Sequence, residues 1–271
     1  MSFYVFGDYH GAINSENYFL TTKQFPEQKS LSKKDIVFQL GDFGLPWFYP
    51  ELTNFYKKEL AHLTELASKK YTLFIIPGNH DNYDLINKLP LIDFYQGQAY
   101  IFETKNGPIY FAKRGEIYVI DNKIIFTFSG AKTSDMEERY TYQDYLNKNK
   151  VFKKNRRGFK RLKTMKLSYV QYWPQELPTK EEYSYAIHNL KKYNFQVDYI
   201  FTHTGPKSVL SNIFSTIEED FSEKLNDPVS DFLEEIMKKT SFKEWHFGHI
   251  HMNTNFKNFY SHYKEKPYLL S

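Results

Sequence analysis

The stretch Phe3-Tyr4-Val5-Phe6-Gly7-Asp8-Tyr9-His10-Gly11 opens the chain with four hydrophobic residues, a glycine and an Asp-x-His triplet. The hydrophobic run predicts a buried strand over residues 3–6. Asp8 and His10 are two positions apart, so on extended backbone their side chains point to the same side. Glycine allows the backbone to turn sharply and to approach an anionic group closely. This opening therefore predicts a strand that ends at a pair of candidate metal ligands.

The same arrangement recurs at four later places in the chain: Gly41-Asp42-Phe43-Gly44, Gly78-Asn79-His80-Asp81, Thr202-His203-Thr204-Gly205-Pro206 and Gly248-His249-Ile250-His251. Each motif follows a predicted strand, and the carboxyl ends of strands in open α/β sheets face one crevice. Asp, Asn and His supply oxygen and nitrogen donors that suit Mn, Fe, Zn or Ni rather than calcium or soft copper. Each motif alone also fits a turn, a helix cap or a structural histidine. Five of the nine histidines fall in these motifs, however, which favours a metal centre.

The pattern around the motifs is that of a layered α/β fold with both sheet faces covered. Short hydrophobic runs predict further strands over residues 35–40, 71–76, 197–202 and 242–247. Helical spacing predicts helices over 50–70, 179–193 and 217–239, with Thr179 and Glu182 as a capping box and an interruption near Asp227-Pro228. Between residues 98 and 130, turns at Asn106-Gly107 and Asp121-Asn122 predict antiparallel hairpins. No linker divides the sequence, so we expect residues 1–271 to form a single domain.

Composition limits the classes of function. The 271 residues are 41% hydrophobic, enough for a sizeable core, and the net charge is +4. The sequence contains no cysteine, which excludes disulfides, thiolate metal sites and thiol nucleophiles. The first residues have no signal-peptide pattern, and no apolar run approaches the length of a membrane span. We expect a cytoplasmic protein without a membrane partner.

In their order and their residues, the five motifs resemble those of the calcineurin-like metallophosphoesterases, and the resemblance covers essentially the whole chain. A narrower similarity, to a bacterial and phage-associated branch of small metallophosphatases, involves residues 41–47, 114–118, 130–131, 172–178 and 197–206. The resemblance implies a four-layer αββα sandwich and an enzyme that hydrolyses a phosphate ester with two divalent metal ions. Manganese is the expected metal, with iron, zinc or nickel as alternatives.

The resemblance also implies a role for each motif residue. The first metal would be bound by Asp8, His10 and His251, Asp42 would bridge both metals, and the second metal would be completed by Asn79, His203 and His249. His80 would protonate the leaving-group oxygen, and Asp81 would set the orientation and tautomer of His80. Arg139 matches an arginine of the branch and would contact substrate phosphate. Leu45 stands where many relatives have a second acid, and the sequence lacks the Arg-Gly and Glu of the Ser/Thr phosphoprotein phosphatases, so it does not resemble that branch.

Two cations about 3.5–4 Å apart would hold a bridging water and lower its pKa toward neutrality, which gives a nucleophile without a covalent intermediate. We expect a phosphomonoesterase. A phosphodiesterase or nuclease acting on a polyanion is the alternative, and a nucleic-acid-binding module with a structural metal site is a third interpretation.

The basic segment is an apparent insertion at about residues 136–171. It contains ten Lys and Arg residues between Lys148 and Lys166, with Phe152 and Phe159 among them. One interpretation is an arm that attracts nucleic acid or a phosphoprotein. The other, which we favour, is a solvated loop. The sequence does not indicate an oligomeric state.

Overall fold

The structure is a computed structural model that describes residues 1–11, 19–47, 54–133, 173–217 and 222–270. The basic insertion at about 136–171 and the candidate phosphate ligand Arg139 lie outside the described residues, so the expectations for both stay predictions.

Thirteen strands are present in the described part of the chain. In chain order they are β1 (Phe3–Phe6), β2 (Ile36–Gln39), β3 (Thr72–Ile75), β4 (Leu91–Phe94), β5 (Gly97–Thr104), β6 (Gly107–Ala112), β7 (Ile117–Ile120), β8 (Lys123–Phe128), β9 (Tyr199–Thr202), β10 (Glu244–Phe247), β11 (Thr254–Phe256), β12 (Phe259–Ser261) and β13 (Tyr268–Leu269). They form two mixed sheets. The first has the order β13-β1-β2-β3-β6-β5-β4 and the second has the order β11-β12-β10-β9-β8-β7.

Parallel strands occupy the centre of each sheet, and antiparallel strands occupy the margins. In the first sheet, β1, β2, β3 and β6 run parallel, whereas β13, β5 and β4 pair antiparallel. In the second, β8, β9, β10 and β12 run parallel, with β7 and β11 antiparallel. The central strands of both sheets therefore present their carboxyl ends to loops, which is where the five sequence motifs lie.

Helices cover the outer face of each sheet. They are α1 (Asn54–Ala67), α2 (Tyr83–Ile86), α3 (Lys180–Lys192), α4 (Lys207–Phe214), α5 (Ser222–Leu225) and α6 (Pro228–Lys239), with 3-10 turns at Pro26–Lys29 and Pro174–Glu176. The capping box of α3 is formed as expected, since the Thr179 hydroxyl accepts from the Glu182 amide and the Glu182 carboxylate accepts from the Thr179 amide.

Three hydrophobic clusters define four layers. One cluster joins α1 to the outer face of the first sheet, through residues such as Leu63 and Val37. A second lies between the sheets, where the rings of Phe38 and Phe201 approach to 4.7 Å. The third packs α3, α4 and α6 on the outer face of the second sheet around Trp245. Helix, sheet, sheet and helix therefore stack in that order, and the expected α/β class with its four-layer αββα arrangement is confirmed.

Most strands lie where the hydrophobic runs predicted them, but several short elements were not predicted. The turn at Asp121-Asn122 has φ of 52° and 60°, the left-handed pair that a two-residue hairpin requires. The helices α2 and α4 and the strands β4 and β11 to β13 were not expected from the sequence. Short elements form by tertiary packing, and their own sequence carries little periodic signal.

Candidate metal centre

The five motifs meet in one place at the carboxyl ends of the central strands. Asp8, Asp42 and Asn79 follow β1, β2 and β3 of the first sheet, whereas His203 and His249 follow β9 and β10 of the second. Backbone hydrogen bonds join the loops, since the amides of Tyr9 and His10 donate to the Asp42 carbonyl at 3.1 and 2.7 Å. The amide of Gly248 donates to the His203 carbonyl at 2.9 Å. The His249 amide donates to Asp8 Oδ1 at 2.9 Å, which joins the loops of one sheet to those of the other.

The first ligand cluster contains Asp8, His10, Asp42 and His251, whose candidate ligand atoms lie within 4.8 Å of one another. Nε2 of His251 lies 3.0 Å and Nε2 of His10 lies 3.5 Å from Oδ2 of Asp8. His10 Nε2 is also 3.9 Å from Asp42 Oδ2. Both carboxylates are buried and both imidazoles are exposed, so this cluster opens to solvent on its histidine side.

The second ligand cluster contains Asp42, His203 and His249, again with ligand atoms within 4.8 Å. His203 Nε2 lies 3.2 Å from Asp42 Oδ1 and 2.9 Å from Asn79 Oδ1, which places the Asn79 amide oxygen beside this cluster. His203 Nδ1 lies 2.8 Å from the Leu40 carbonyl oxygen, so Nδ1 carries a hydrogen. Nε2 is then the ring nitrogen that can coordinate a metal ion. Asp42 belongs to both clusters.

The donor set fits a bound cation. Asp8 Oδ2 is buried, and the imidazole nitrogens of His251 and His10 lie 3.0 and 3.5 Å from it without an aligned hydrogen bond. A buried carboxylate is costly unless a positive charge compensates it, and a bound cation or protonated imidazoles can supply that charge. Burial alone would raise the pKa of Asp8, but the imidazoles of His10 and His251 outweigh it and hold the pKa well below the usual range. Asp42 has a similarly low pKa, because His203 and His80 outweigh the effect of its burial. Both groups are therefore carboxylates at neutral pH.

Four candidate ligands have the left-handed backbone conformation, which non-glycine residues rarely adopt. The φ angles are 49° at His10, 51° at Asp42, 66° at His249 and 58° at His251. Such residues cost about 1–3 kcal/mol each and persist where the surrounding structure fixes them. The concentration of this strain on one side-chain cluster indicates that the loops are shaped to aim these side chains.

Close packing of glycines against ligands also shapes the centre. A Cβ atom at Gly78 would overlap the Asp42 amide and carboxylate as well as His203 Nε2. A Cβ at Gly248 would overlap the Asp8 carboxylate. The glycines of these motifs are therefore needed for the approach of one ligand loop to the next.

His80 lies beside the two clusters. Its backbone amide donates to Asp42 Oδ1 at 2.7 Å, and its ring lies 6.0 Å from the ring of His10. His80 is half-buried, and it is not a member of either ligand cluster. The backbone of His80 therefore binds the carboxylate that the clusters share, and its ring lies near that of the candidate ligand His10.

Asp81 is buried, and its carboxylate ties together two ligand loops. Oδ1 accepts from the Gly44 amide at 2.8 Å, and Oδ2 accepts from the Gly78 amide at 2.7 Å and the Phe43 amide at 3.3 Å. Burial raises the pKa of Asp81 to about 6, and Asp42 adds to the effect. These bonds fix the backbone on both sides of Asn79 and His80, a structural contribution that the sequence analysis did not foresee.

A hydrogen-bonded chain behind Asn79 was also missed. Asn79 Nδ2 donates to Thr133 Oγ1 at 3.0 Å, while the Thr133 hydroxyl and amide each lie 2.7 Å from the Glu176 carboxyl. Burial raises the pKa of Glu176 to about 8, so this carboxyl is largely protonated at neutral pH. The chain directs the Asn79 oxygen toward His203. Thr133 follows the end of β8, a position equivalent to that of the motif residues, and this was the available signal.

Lys224 of α5 is a second group without a sequence signal. Its Nζ donates to the His249 carbonyl at 3.2 Å. Burial lowers the pKa of Lys224, whereas Asp8 and Asp42 act in the opposite direction. A half-buried cation therefore lies beside the ligand clusters.

The histidines outside the motifs lie in other surroundings. His62 on α1 contacts the Tyr9 hydroxyl at 2.6 Å and stacks on its ring. His246 is buried, with its Nδ1 2.9 Å from His262 Nε2. Among the described residues, the candidate ligand clusters contain none of the histidines outside the motifs, which are His62, His188, His246 and His262.

Comparison with known proteins gives one match. The family model described as calcineurin-like phosphoesterase matches residues 1–253. No significant match was found among curated proteins or among solved structures. Within the described ranges, every helix is too short or too polar to cross a membrane.

Proposed function

The chain belongs to the calcineurin-like phosphoesterase family, whose members are metal-dependent phosphoester hydrolases, and on this premise we propose that it is a phosphomonoesterase with two divalent metal ions. The observation that carries the proposal is the pair of ligand clusters that share Asp42. One carboxylate common to two sets of Asp, Asn and His donors would hold two metal ions close together, as a dinuclear site needs.

In this proposal Asp8, His10, Asp42 and His251 hold one metal, and Asp42, Asn79, His203 and His249 hold the other. We propose manganese as the native metal, with iron, zinc or nickel as alternatives, because imidazole and carboxylate donors discriminate weakly among these ions. When bound, two divalent cations neutralise phosphoryl oxygens and lower the pKa of a coordinated water.

The protein residues hold the remaining groups in position. The Leu40 carbonyl fixes the tautomer of His203, and the Thr133 hydroxyl fixes the amide of Asn79. His80 donates a proton to the leaving-group oxygen, a general-acid role that histidine side chains perform more often than any other. Asp81 keeps His80 in place through the loop amides that it binds. In this proposal water attacks phosphorus directly, so no covalent intermediate forms, which agrees with the absence of cysteine.

Lys224 supports a monoester rather than a diester as the substrate. A phosphate monoester carries one more negative charge than a diester near neutral pH, so an added cation beside the metal ligands favours it. Lys224 Nζ lies 3.2 Å from the His249 carbonyl, close to the second ligand cluster. Substitution by Met retains the apolar stem and removes this charge.

The proposal is tested by comparing hydrolysis of p-nitrophenyl phosphate and bis(p-nitrophenyl) phosphate by the manganese-loaded enzyme. We expect the monoester to be the better substrate, and we expect Lys224→Met to lower kcat/KM for the monoester by about tenfold more than for the diester. Lys207→Met is the matched control, because Lys207 is an exposed lysine paired with Asp231. A preference for the diester that Lys224→Met leaves unchanged would favour the phosphodiesterase alternative. Absence of turnover on both esters after metal loading would contradict the proposal as a whole.

Three further proposals concern the domain organisation, the cellular location and the partners of the basic insertion. We propose that residues 1–271 form one domain, because the last strand, β13, pairs with the first, β1. We propose a cytoplasmic location on the basis of sequence composition. The basic insertion remains a candidate for contact with nucleic acid or a phosphoprotein. Deletion of residues 136–171 tests this contact, since an accessory role predicts weaker binding of polyanions with unchanged turnover of p-nitrophenyl phosphate.

A further inference from the structure

The C-terminal segment, residues 254–270, lies beyond the part of the chain that matches the family model, residues 1–253. Its strands β11 and β12 extend the second sheet next to β10, and its last strand, β13, pairs with β1 at the margin of the first sheet. The C-terminal segment therefore crosses from one sheet to the other. Because β12 runs parallel to β10, the crossing starts at the edge where the ligand loops begin.

Tyr263 is the residue of this crossing that lies between two ligand loops. It forms a parallel bridge with Asp8, and its amide donates to Oδ1 of Asn253 at 2.5 Å. Nearby, the Ser261 hydroxyl donates to the Met252 carbonyl at 2.7 Å. These contacts fix the backbone of Tyr263 against the loop that follows β1 and against the loop that follows β10.

The aromatic ring of Tyr263 covers the candidate ligand His251. The two rings are stacked, with their centroids 4.4 Å apart and an angle of 13° between their planes. Nε2 of His251 lies 3.0 Å from Asp8 Oδ2, and the His251 ring is nearly perpendicular to that of His10, at 89°. Tyr263 therefore contacts the face of this imidazole, while Nε2 at its edge stays directed to the first ligand cluster.

Exposure distinguishes His251 from a ligand that packing holds in place. The His203 side chain is fully buried, whereas the His251 side chain is 44% exposed. An exposed side chain has several rotamers within reach, and metal binding must then select one of them at an entropic cost. A ring stacked on the imidazole removes part of this freedom before a metal binds. The contact with Tyr263 therefore restrains His251 in the way that burial restrains His203.

We propose that Tyr263 is a positioning residue for His251, and that the C-terminal segment is thereby part of the metal centre although it lies outside the family match. This inference rests on the proposed function, in which His251 is a metal ligand. Stacking keeps the imidazole in the orientation in which Nε2 faces Asp8. The contact needs the aromatic ring of Tyr263 and not its hydroxyl, so phenylalanine is expected to replace tyrosine at this position.

The test is isothermal titration calorimetry of the metal-free full chain with manganese chloride, for the native protein, Tyr263→Leu and Tyr263→Phe. We expect Tyr263→Leu to weaken one of the two manganese sites by about three- to tenfold, the range that corresponds to the energy of an aromatic pair, and to leave the other site unchanged. We expect Tyr263→Phe to bind both ions as the native chain does. In the His203→Gln background, which retains the first ligand cluster, Tyr263→Leu should weaken the remaining ion by the same factor.

Tyr260→Leu is the matched control. Tyr260 is also a half-buried tyrosine of the C-terminal segment, and its ring stacks on His246 with centroids 4.9 Å apart and planes at 13°. His246 belongs to neither ligand cluster. Tyr260→Leu is therefore expected to bind manganese with native affinity even if its melting temperature falls.

Three results would overturn the inference. They are unchanged manganese affinity in Tyr263→Leu, equal weakening by Tyr263→Phe, and equal weakening by Tyr260→Leu, which would indicate general loosening of the fold. If Tyr263→Leu does not fold, Tyr263→Met provides the same comparison. A native chain that binds two manganese ions but hydrolyses neither ester would contradict the proposed function alone, and a weakened site in Tyr263→Leu would then still support this inference. A native chain that binds no manganese would overturn both.

Discussion

Replacement of Thr133 by Val tests whether the chain behind Asn79 builds the second metal site. Valine has the shape of threonine but lacks the hydroxyl, so Thr133→Val removes the acceptor for Asn79 Nδ2, 3.0 Å away, and the contact with Glu176 Oε2, 2.7 Å away. Asn79 is buried, and loss of its partner leaves an amide donor unsatisfied. Groups that orient a metal ligand change metal affinity by about 10- to 100-fold, which is about 1.4–2.7 kcal/mol.

The expected result is the loss of affinity at one site only. We expect manganese titration of Thr133→Val to show one site of native affinity and one site weakened by about 10- to 100-fold. We expect the metal-free variant to lose about 1–3 kcal/mol of unfolding free energy, from the unsatisfied Asn79 amide. Thr240→Val is the matched control, because Thr240 is also buried but its Oγ1 has no hydrogen-bond partner among the described residues. The control should change neither quantity appreciably.

Two results would refute this reasoning. If Thr133→Val binds two manganese ions with native affinity, Asn79 is not a ligand held by Thr133. If Thr133→Val and Thr240→Val lose metal affinity to the same extent, the effect comes from general loosening of the fold and not from the hydrogen-bonded chain.

Three further predictions concern the acid, the ligand loops and a buried histidine. His80→Asn should lower kcat by about 10²- to 10⁴-fold without loss of metal by elemental analysis, and a parallel loss of metal would instead make His80 a ligand. Gly78→Ala places a Cβ against Asp42 and His203, so we expect destabilisation of about 1–3 kcal/mol and fewer metal ions bound per chain; native stability with full metal content would contradict the packing described above. The pKa of His246 is lowered to about 4, because burial and the neighbouring His262 together outweigh the opposing effect of Glu244. The unfolded chain therefore binds more protons between about pH 6.5 and pH 4, and His246 should reduce stability by on the order of 3 kcal/mol as the pH falls through this window. Chemical denaturation of His246→Gln should show a shallower loss over the same range, and an unchanged slope would exclude His246 as its source.

The central strands, and the clustering of the candidate ligands, were predictable from sequence because each rests on a local pattern. A hydrophobic run followed by Gly-Asp or Gly-Asn identifies a strand and the residue at its carboxyl end, as at Asp8 and Asn79. The rule that parallel strands present their carboxyl ends together then brings distant motifs to one place. His10 and His251 are separated by 241 positions, and their Nε2 atoms lie 3.2 Å apart.

The supporting groups were not predictable because their roles depend on tertiary contacts. Thr133 and Glu176 are 43 positions apart and bear on the metal centre only through Asn79. Lys224 lies on a four-residue helix with no sequence motif. Asp81 was expected to orient His80 through its side chain, whereas its carboxylate also binds loop amides that no spacing rule identifies. Sequence patterns therefore located the candidate ligands, and the fold was needed to show what holds them in place.

The most direct test of the dinuclear centre is the number of manganese ions bound per chain, measured by elemental analysis after equilibrium dialysis of the native protein and of His203→Gln. The shared position of Asp42 predicts two ions per chain in the native protein. It predicts one ion in His203→Gln, because the cluster of Asp8, His10, Asp42 and His251 stays intact. One ion per chain in the native protein, or two in His203→Gln, would contradict the two-metal centre described here.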